Sequence, residues 1–186
     1  MIQMMKPAVF LDRDGVICSE KGYITSFEDM EIFPFAKEAV DIIKEKGYKV
    51  IVITNQSAVA RGLIDIDGLE AINSRLSEAV PVDGIYYCPH YPPEGKDIPP
   101  YFINCNCRKP KPGLLLKAAY DHCLDLSNSF FVGDRESDIL AGKNAGVLST
   151  LVLSGFEKKA PFNYQSDYIF DNLLEFAAFL PHNSII

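Results

Sequence analysis

Two carboxylates one residue apart, Asp12 and Asp14, close the apolar run Ala8–Leu11 and are followed at once by Gly15. An apolar run of this length reads as a buried strand. Side chains alternate along a strand, so the two acids would share a side if it continued, whereas the Asp14-Gly15 pair turns the chain instead. In either case they stand at a strand's carboxyl end, where open α/β sheets place their ligands. Asp-x-Asp-Gly by itself suits a plain turn equally well. Two further clusters decide the matter. Thr54-Asn55-Gln56-Ser57 follows the β-branched run Tyr48–Ile53, and Gly133-Asp134-Arg135-Glu136-Ser137-Asp138 follows Ser129–Val132.

Brought together, Asp12, Asp14 and Asp134 would crowd negative charge, which is costly unless a cation sits among them. Oxygen ligands suit a hard ion, and Mg²⁺ is the natural choice beside phosphate. Thr54 and Asn55 add neutral donors, while Arg108 and Lys109 add positive charge. Carboxylates, Mg²⁺, a lysine and hydroxyl or amide donors describe a site for phosphoryl transfer. One carboxylate can attack phosphorus and carry the phosphoryl group. Its neighbour can protonate the leaving oxygen and later deprotonate water. Arg13, between the two acids, acquires no role, and Asp138 is left unassigned.

These residues can meet only if the elements between them fold in a particular way. Pro34 opens a predicted helix with Ala36, Ala39, Val40 and Ile43 on its inner face and Gly47 at its end. Ile17 to Phe33 reads as a loop or small hairpin overhanging the first strand. Asp67 is the predicted N-cap of a helix carrying Leu69, Ile72, Leu76 and Ala79. A strand at Gly84–Tyr87, a helix from Pro112 to about Cys123 and a helix through Ile139, Leu140 and Ala145 to Gly146 follow. The chain closes with strands at Thr150–Leu153 and Tyr168–Phe170 and a helix capped by Asp171 that ends by Pro181. Strand and helix alternate without repeats, which predicts a doubly wound, mostly parallel sheet in a single domain over residues 1–186. In such a sheet the three polar clusters converge on one edge.

Composition sets the bounds. The 186 residues are 48% apolar and 23% charged, with a net charge of −7. That acidic balance argues against a general nucleic-acid binder but leaves room for a small phosphorylated substrate held by a local group of cations. The first residues lack a signal-peptide pattern, and no apolar run reaches the roughly 18 residues of a membrane helix. A cytoplasmic monomer with no membrane partner is the expectation.

The cysteines matter by spacing. Cys88-x-His90 and Cys105-x-Cys107 bracket the proline-rich loop Tyr91–Asn104. Two paired sets of soft ligands favour a closed, structural Zn²⁺ site, with a zinc loop over about residues 88–107. Pinning that loop aims Arg108 and Lys109, which follow Cys107 directly, at the phosphate edge. Cys18 and Cys123 remain ordinary thiols.

Phe10 to Gly15, Thr54-Asn55, Lys109 and Gly133 to Asp138 resemble, in order, the four motifs of the haloacid dehalogenase (HAD) superfamily. The resemblance spans residues 8–146 and implies a HAD-like Rossmannoid fold without a large cap domain. It makes Asp12 the nucleophile, Asp14 the general acid/base, Thr54 a phosphoryl ligand and Lys109 its neutralising cation. Mg²⁺ would be held by Asp12, Asp134 and the backbone carbonyl of Asp14. The Cys-Pro-His and Cys-x-Cys-Arg-Lys-Pro insert resembles two phosphatase branches of that superfamily. One acts on D-glycero-D-manno-heptose 1,7-bisphosphate and the other on histidinol phosphate. Gly22-Tyr23, Asn55-Gln56-Ser57 and Ala60-Arg61-Gly62 look like the heptose branch, whereas Asp134-Arg135 is more like the histidinol branch. The leading expectation is the heptose bisphosphate, with Glu20, Lys21, Gly22, Tyr23, Asn55, Gln56, Ser57, Arg108 and Arg135 as substrate contacts. A zinc-stabilised binding module without catalysis is the alternative of a different class.

Overall fold

The computed structural model describes residues 5–93, 100–156 and 165–183. Its strands are β1 (Ala8–Leu11), β2 (Lys49–Asn55), β3 (Gly84–Cys88), β4 (Phe130–Gly133), β5 (Leu148–Val152) and β6 (Tyr168–Phe170). Every pairing between them is parallel, and the order across the sheet is β3-β2-β1-β4-β5-β6. The helices are α1 (Ala36–Glu45), α2 (Ile66–Ala79), α3 (Gly113–His122), α4 (Glu136–Ala145) and α5 (Leu173–Phe179). The chain winds from β1 outward to β3 and then returns to β4 on the other side of β1. That reversal makes the carboxyl end of β1 the topological switch point, where such sheets bind ligands.

Alternation along the strands separates two cores. Val9, Leu11, Val50, Val52, Phe130 and Val132 pack against Ala36, Ala39, Val40 and Ile43 of α1, Ile72 and Leu76 of α2, and Leu173 and Phe176 of α5. Ala8, Phe10, Ile51, Ile53 and Phe131 face the other way, toward Leu114, Leu115 and Ala118 of α3 and Ala141 of α4. Burial on both faces explains why the strands read as continuous apolar runs. Among the described residues, no helix is long and apolar enough to cross a membrane.

The predicted alternation of elements holds, with differences at the ends. Asp65, not Asp67, caps α2 and accepts from Gly68 N at 2.8 Å, while Asp67 lies in the first turn. Asn172, not Asp171, caps α5, accepting from Leu174 N and Glu175 N. In both places two capping types lie close together, and only the residue just outside the first turn can reach its free amides. β2 continues two residues beyond Ile53 because Thr54 and Asn55 still pair with Tyr87 and Cys88. The overhang after β1 is a small hairpin, closed by an antiparallel bridge between Cys18 and Ile32.

Asp83 fastens the far ends of β2 and β3. Its carboxylate accepts from Val50 N at 2.9 Å and from Lys49 Nζ at 2.8 Å. Burial opposes ionisation, but the Lys49 and Val50 hydrogen bonds outweigh it and hold the carboxyl below its usual value. Folding therefore favours the charged form. Its contribution is full above the unfolded value of about 4 and is lost as pH falls through the folded value. Asp83→Ala is expected to lower stability by roughly 1–3 kcal/mol at neutral pH, with the difference narrowing in acid. An unchanged urea midpoint at pH 7 would contradict this.

Candidate active site

β1 lies between β2 and β4, so the residues that leave these three strands are neighbours. Asp12 follows β1 directly and is fixed by its own amide, which donates to Val132 O at 2.9 Å. Its Oδ1 accepts from Arg13 N at 2.7 Å and pairs with Lys109 Nζ at 2.8 Å. Lys109 is buried, and its ammonium also meets Asp138 Oδ1 at 2.7 Å and donates to Ile53 O at 2.9 Å. Asn55 holds the lysine's backbone, accepting from Lys109 N at 3.1 Å and donating to Lys109 O at 3.3 Å. Thr54 is buried beside them, and its hydroxyl accepts from Gln56 Nε2 at 2.8 Å.

The acids are crowded. Carboxylate oxygens of Asp12, Asp134 and Asp138 all lie within 4.8 Å of one another, and all three residues are buried. Burial pushes the Asp12 carboxyl well up; Lys109 opposes the rise, and Asp138, Asp134 and Asp14 add to it. Burial and then Asp138 push Asp134 up to about 7, against the Phe156 amide, Arg135 and Lys109. Burial disfavours the charged form of Lys109, but Asp12 and Asp138 outweigh it, so this ammonium stays protonated. Asp134 Oδ2 accepts from Phe156 N at 2.6 Å, whereas its Oδ1 is buried without a hydrogen-bond partner among the described residues. One buried ammonium among three buried carboxylates leaves excess negative charge, and the guanidinium of Arg135 comes no nearer to Asp134 Oδ1 than 4.0 Å. That donor set fits a hard divalent cation. The packing behind it is tight: a Cβ on Gly15, whose φ is +88°, would come within 2.2 Å of Asp134 Oδ2.

The Asp14 carboxylate stands outside this acidic cluster. It faces Arg13, Gln56 Nε2 at 2.9 Å and Cys18 Sγ at 3.5 Å. Asp138, unassigned from sequence, joins the cluster in its place. Its Oδ2 accepts from Asp134 N at 3.2 Å and Arg135 N at 3.1 Å, so it also shapes the turn that presents Asp134. The available signal was its position one helical turn beyond the strand end.

A cleft of about 420 Å³ opens above these groups. Asp12, Asp14, Thr54, Asn55, Gln56, Ser57, Arg108, Lys109 and Arg135 line it, with Glu20, Gly22 and Tyr23 from the hairpin overhead. Lys21 does not line it: its ammonium turns outward to Glu31 at 3.1 Å. Its neighbour Glu20 does line the cleft, where it pairs with Arg135. Ser137 lines the cleft without having been singled out, for a serine after a strand end carries no distinctive pattern.

The soft ligands also meet. Cys88 Sγ lies 3.1 Å from Cys107 Sγ and 3.6 Å from Cys105 Sγ, and His90 Nδ1 lies 3.2 Å from Cys107 Sγ and 3.7 Å from Cys88 Sγ. These separations exceed a disulfide bond of about 2.05 Å. They approach the edges of a tetrahedron whose centre is about 2.3 Å from sulfur. The group therefore fits one zinc ion. Arg108 leans on the same loop, donating to His90 O at 3.1 Å and lying over the Tyr91 ring at 4.8 Å. Residues 94–99 of the predicted zinc loop lie outside the described residues.

A wholly parallel sheet whose switch point gathers a buried Asp–Lys–Asp set, a further carboxylate on the cleft wall and a cation-edged cleft defines an α/β phosphoryl-transfer hydrolase. The family described as "HAD-hyrolase-like" matches residues 106–176. D-glycero-beta-D-manno-heptose-1,7-bisphosphate 7-phosphatase of Helicobacter pylori is 42% identical over 163 residues, covering 84% of this chain and 89% of that protein. D-glycero-D-manno-heptose-1,7-bisphosphate 7-phosphatase of Thermosynechococcus vestitus is 40% identical over 182 residues, covering 91% and 93%. Among solved structures, the D,D-heptose 1,7-bisphosphate phosphatase of B. bronchiseptica, complexed with magnesium and phosphate, superposes with a TM-score of 0.78. It shares 29% identity over 93% of this chain and 97% of that one. The chain belongs to the HAD-like phosphatase family, on the branch that holds these heptose bisphosphate enzymes.

Proposed function

We propose that the chain hydrolyses the 7-phosphate of D-glycero-D-manno-heptose 1,7-bisphosphate through a phosphorylated Asp12. The observation that supports the chemistry is the buried Asp12–Lys109–Asp138 set beside the buried carboxylate of Asp134. Asp12 Oδ1 is engaged by Lys109 and the Arg13 amide, while no donor reaches Oδ2 among the described residues. That oxygen attacks phosphorus. Thr54 and Lys109 meet the phosphoryl oxygens as the bond to the sugar oxygen breaks, and Asp14 delivers a proton to that oxygen. Water then attacks the phosphorylated Asp12 and gives a proton back to Asp14. The carboxylate is released with inorganic phosphate, so one ester and one water become one alcohol and one phosphate. Asp12, Asp134 and the backbone carbonyl of Asp14 would hold Mg²⁺, which would supply positive charge to the phosphoryl group when bound.

The rest of the substrate lies along Glu20, Gly22, Tyr23, Asn55, Gln56, Ser57, Arg108 and Arg135. Burial disfavours the charge on Arg135, but Glu20 and then Asp134 more than restore it, so it presents a permanent cation at the mouth. Zn²⁺ on Cys88, His90, Cys105 and Cys107 has a structural role, since four protein ligands leave no open position for substrate. The whole chain serves as one catalytic domain, a cytoplasmic monomer whose partner is a small phosphorylated sugar rather than nucleic acid or membrane. A panel of both heptose bisphosphate anomers and histidinol phosphate tests the substrate. We expect the highest kcat/KM on a heptose bisphosphate; a higher value on histidinol phosphate would overturn the choice.

A further inference from the structure

Arg13 is the residue of the opening motif to which the mechanism gives no task. It is nonetheless among the largest fully buried side chains, at 1% exposure. Its Nη2 donates to Asp14 Oδ2 at 2.9 Å and Oδ1 at 3.0 Å, and its Nε lies 3.2 Å from both oxygens. The guanidinium thus grips the neighbouring carboxylate by its fork, while its Nη1 is buried without a hydrogen-bond partner among the described residues. Asp14 lines the cleft and Arg13 does not. The cation therefore sits behind the acid and touches nothing that enters the site. Two other groups complete the hold. Gln56 Nε2 donates to Asp14 Oδ2 and also to Thr54 Oγ1, and Cys18 Sγ lies 3.5 Å from Asp14 Oδ1.

A buried ion pair is weak evidence of a contribution to stability, because apolar replacement is often neutral or better. A buried guanidinium with one unsatisfied nitrogen is a poorer structural device still. What the arrangement does provide is direction. A bidentate Arg–carboxylate contact fixes the plane of the acid as well as its position. We propose that Arg13 is a positioning residue that holds the Asp14 carboxylate in the plane from which it reaches the leaving oxygen and the attacking water. It acts on the reaction through Asp14 alone. The inference rests on Asp14 being the acid/base of the proposed mechanism.

A double-mutant cycle separates the two claims. In full-length protein supplied with Mg²⁺ and a sugar phosphate, Arg13→Met is expected to lower kcat about 10- to 100-fold with KM changed little. Asp14→Asn alone should lower kcat at least as much. Adding Arg13→Met to Asp14→Asn should then cost no further activity, because the residue through which Arg13 works is already lost. Arg13→Lys, which keeps a cation but not the fork, should fall between wild type and Arg13→Met. If Arg13→Met does not fold, Arg13→Lys takes its place in the cycle against Asp14→Asn. Losses that multiply in the double variant, a rise in KM at constant kcat, or full activity in the Arg13 variant would overturn the positioning role. Full activity in Asp14→Asn would instead overturn the acid/base reading.

Discussion

Asp12→Asn is expected to lower kcat by about 10³-fold or more while leaving the fold intact. The amide is nearly the same shape, and its oxygen can still accept from the Arg13 amide and Lys109, which hold Oδ1 at 2.7 and 2.8 Å. What it cannot do is attack phosphorus and form an acyl phosphate, so the two-step route through the enzyme closes. Stability should move the other way from activity. Burial, together with Asp138 and Asp134, makes the charged form of Asp12 unfavourable in the folded chain, despite Lys109. A carboxyl whose folded value is raised supports folding below its unfolded value and costs stability as pH rises through the folded one. Measured in chelator at neutral pH, the neutral asparagine should therefore melt no lower than wild type. Phosphate release at the wild-type rate would exclude Asp12 as nucleophile; a collapse in melting temperature would exclude the electrostatic account.

The second large effect is expected from zinc. Purified protein should carry one tightly held zinc, and elemental analysis finding none would reject the site. Removing it with a strong chelator leaves three cysteines and a histidine packed at 3.1–3.7 Å with nothing to organise them. A structural zinc contributes on the order of 10 kcal/mol to small folding units. Here the loss should fall on the loop from Cys88 to Cys107 and on the two cations that follow it. Arg108 rests on His90 O and the Tyr91 ring, and Lys111 Nζ donates to Cys105 O at 2.6 Å. Activity should fall about 10- to 100-fold, as it does when the supports of a site are removed. Recovery should require Zn²⁺. After mild EDTA treatment, by contrast, Mg²⁺ alone should restore activity, since the acidic cluster presents carboxylates and no thiol. Restoration of the zinc-stripped protein by Mg²⁺ alone would contradict a separate structural ion.

The order of elements was legible because each strand is an apolar, β-branched run bounded by turn formers, and each helix carries one buried face. Parallel pairing followed from their alternation, and convergence of Asp12, Thr54 and Asp134 followed from parallel pairing. The grouping of Cys88, His90, Cys105 and Cys107 was equally plain, because each close pair keeps its two soft side chains together whatever the loop between the pairs does. Helix starts were less legible where two capping residues compete, as Asp65 with Asp67 and Asn172 with Asp171. There a shift of one or two residues changes the cap but little else.

By itself, then, the sequence determined which side chains would come to the carboxyl edge of the sheet. Their types and the strand alternation leave little choice. The tertiary structure decided what each of them faces once there. Asp14 and Asp138 are both acids beside a strand end. Yet Asp14 turns to Arg13 and Gln56, while Asp138 turns inward to Lys109 and the Asp134 amide. Lys21 is adjacent to Glu20 but leaves the cleft for Glu31. Arg13 showed no pattern at all until its burial and its two-point contact were visible. The reason is physical: period and spacing act along the chain, whereas the direction of a carboxylate or guanidinium is set by partners remote in sequence, over a hundred residues apart for Arg135 and Glu20.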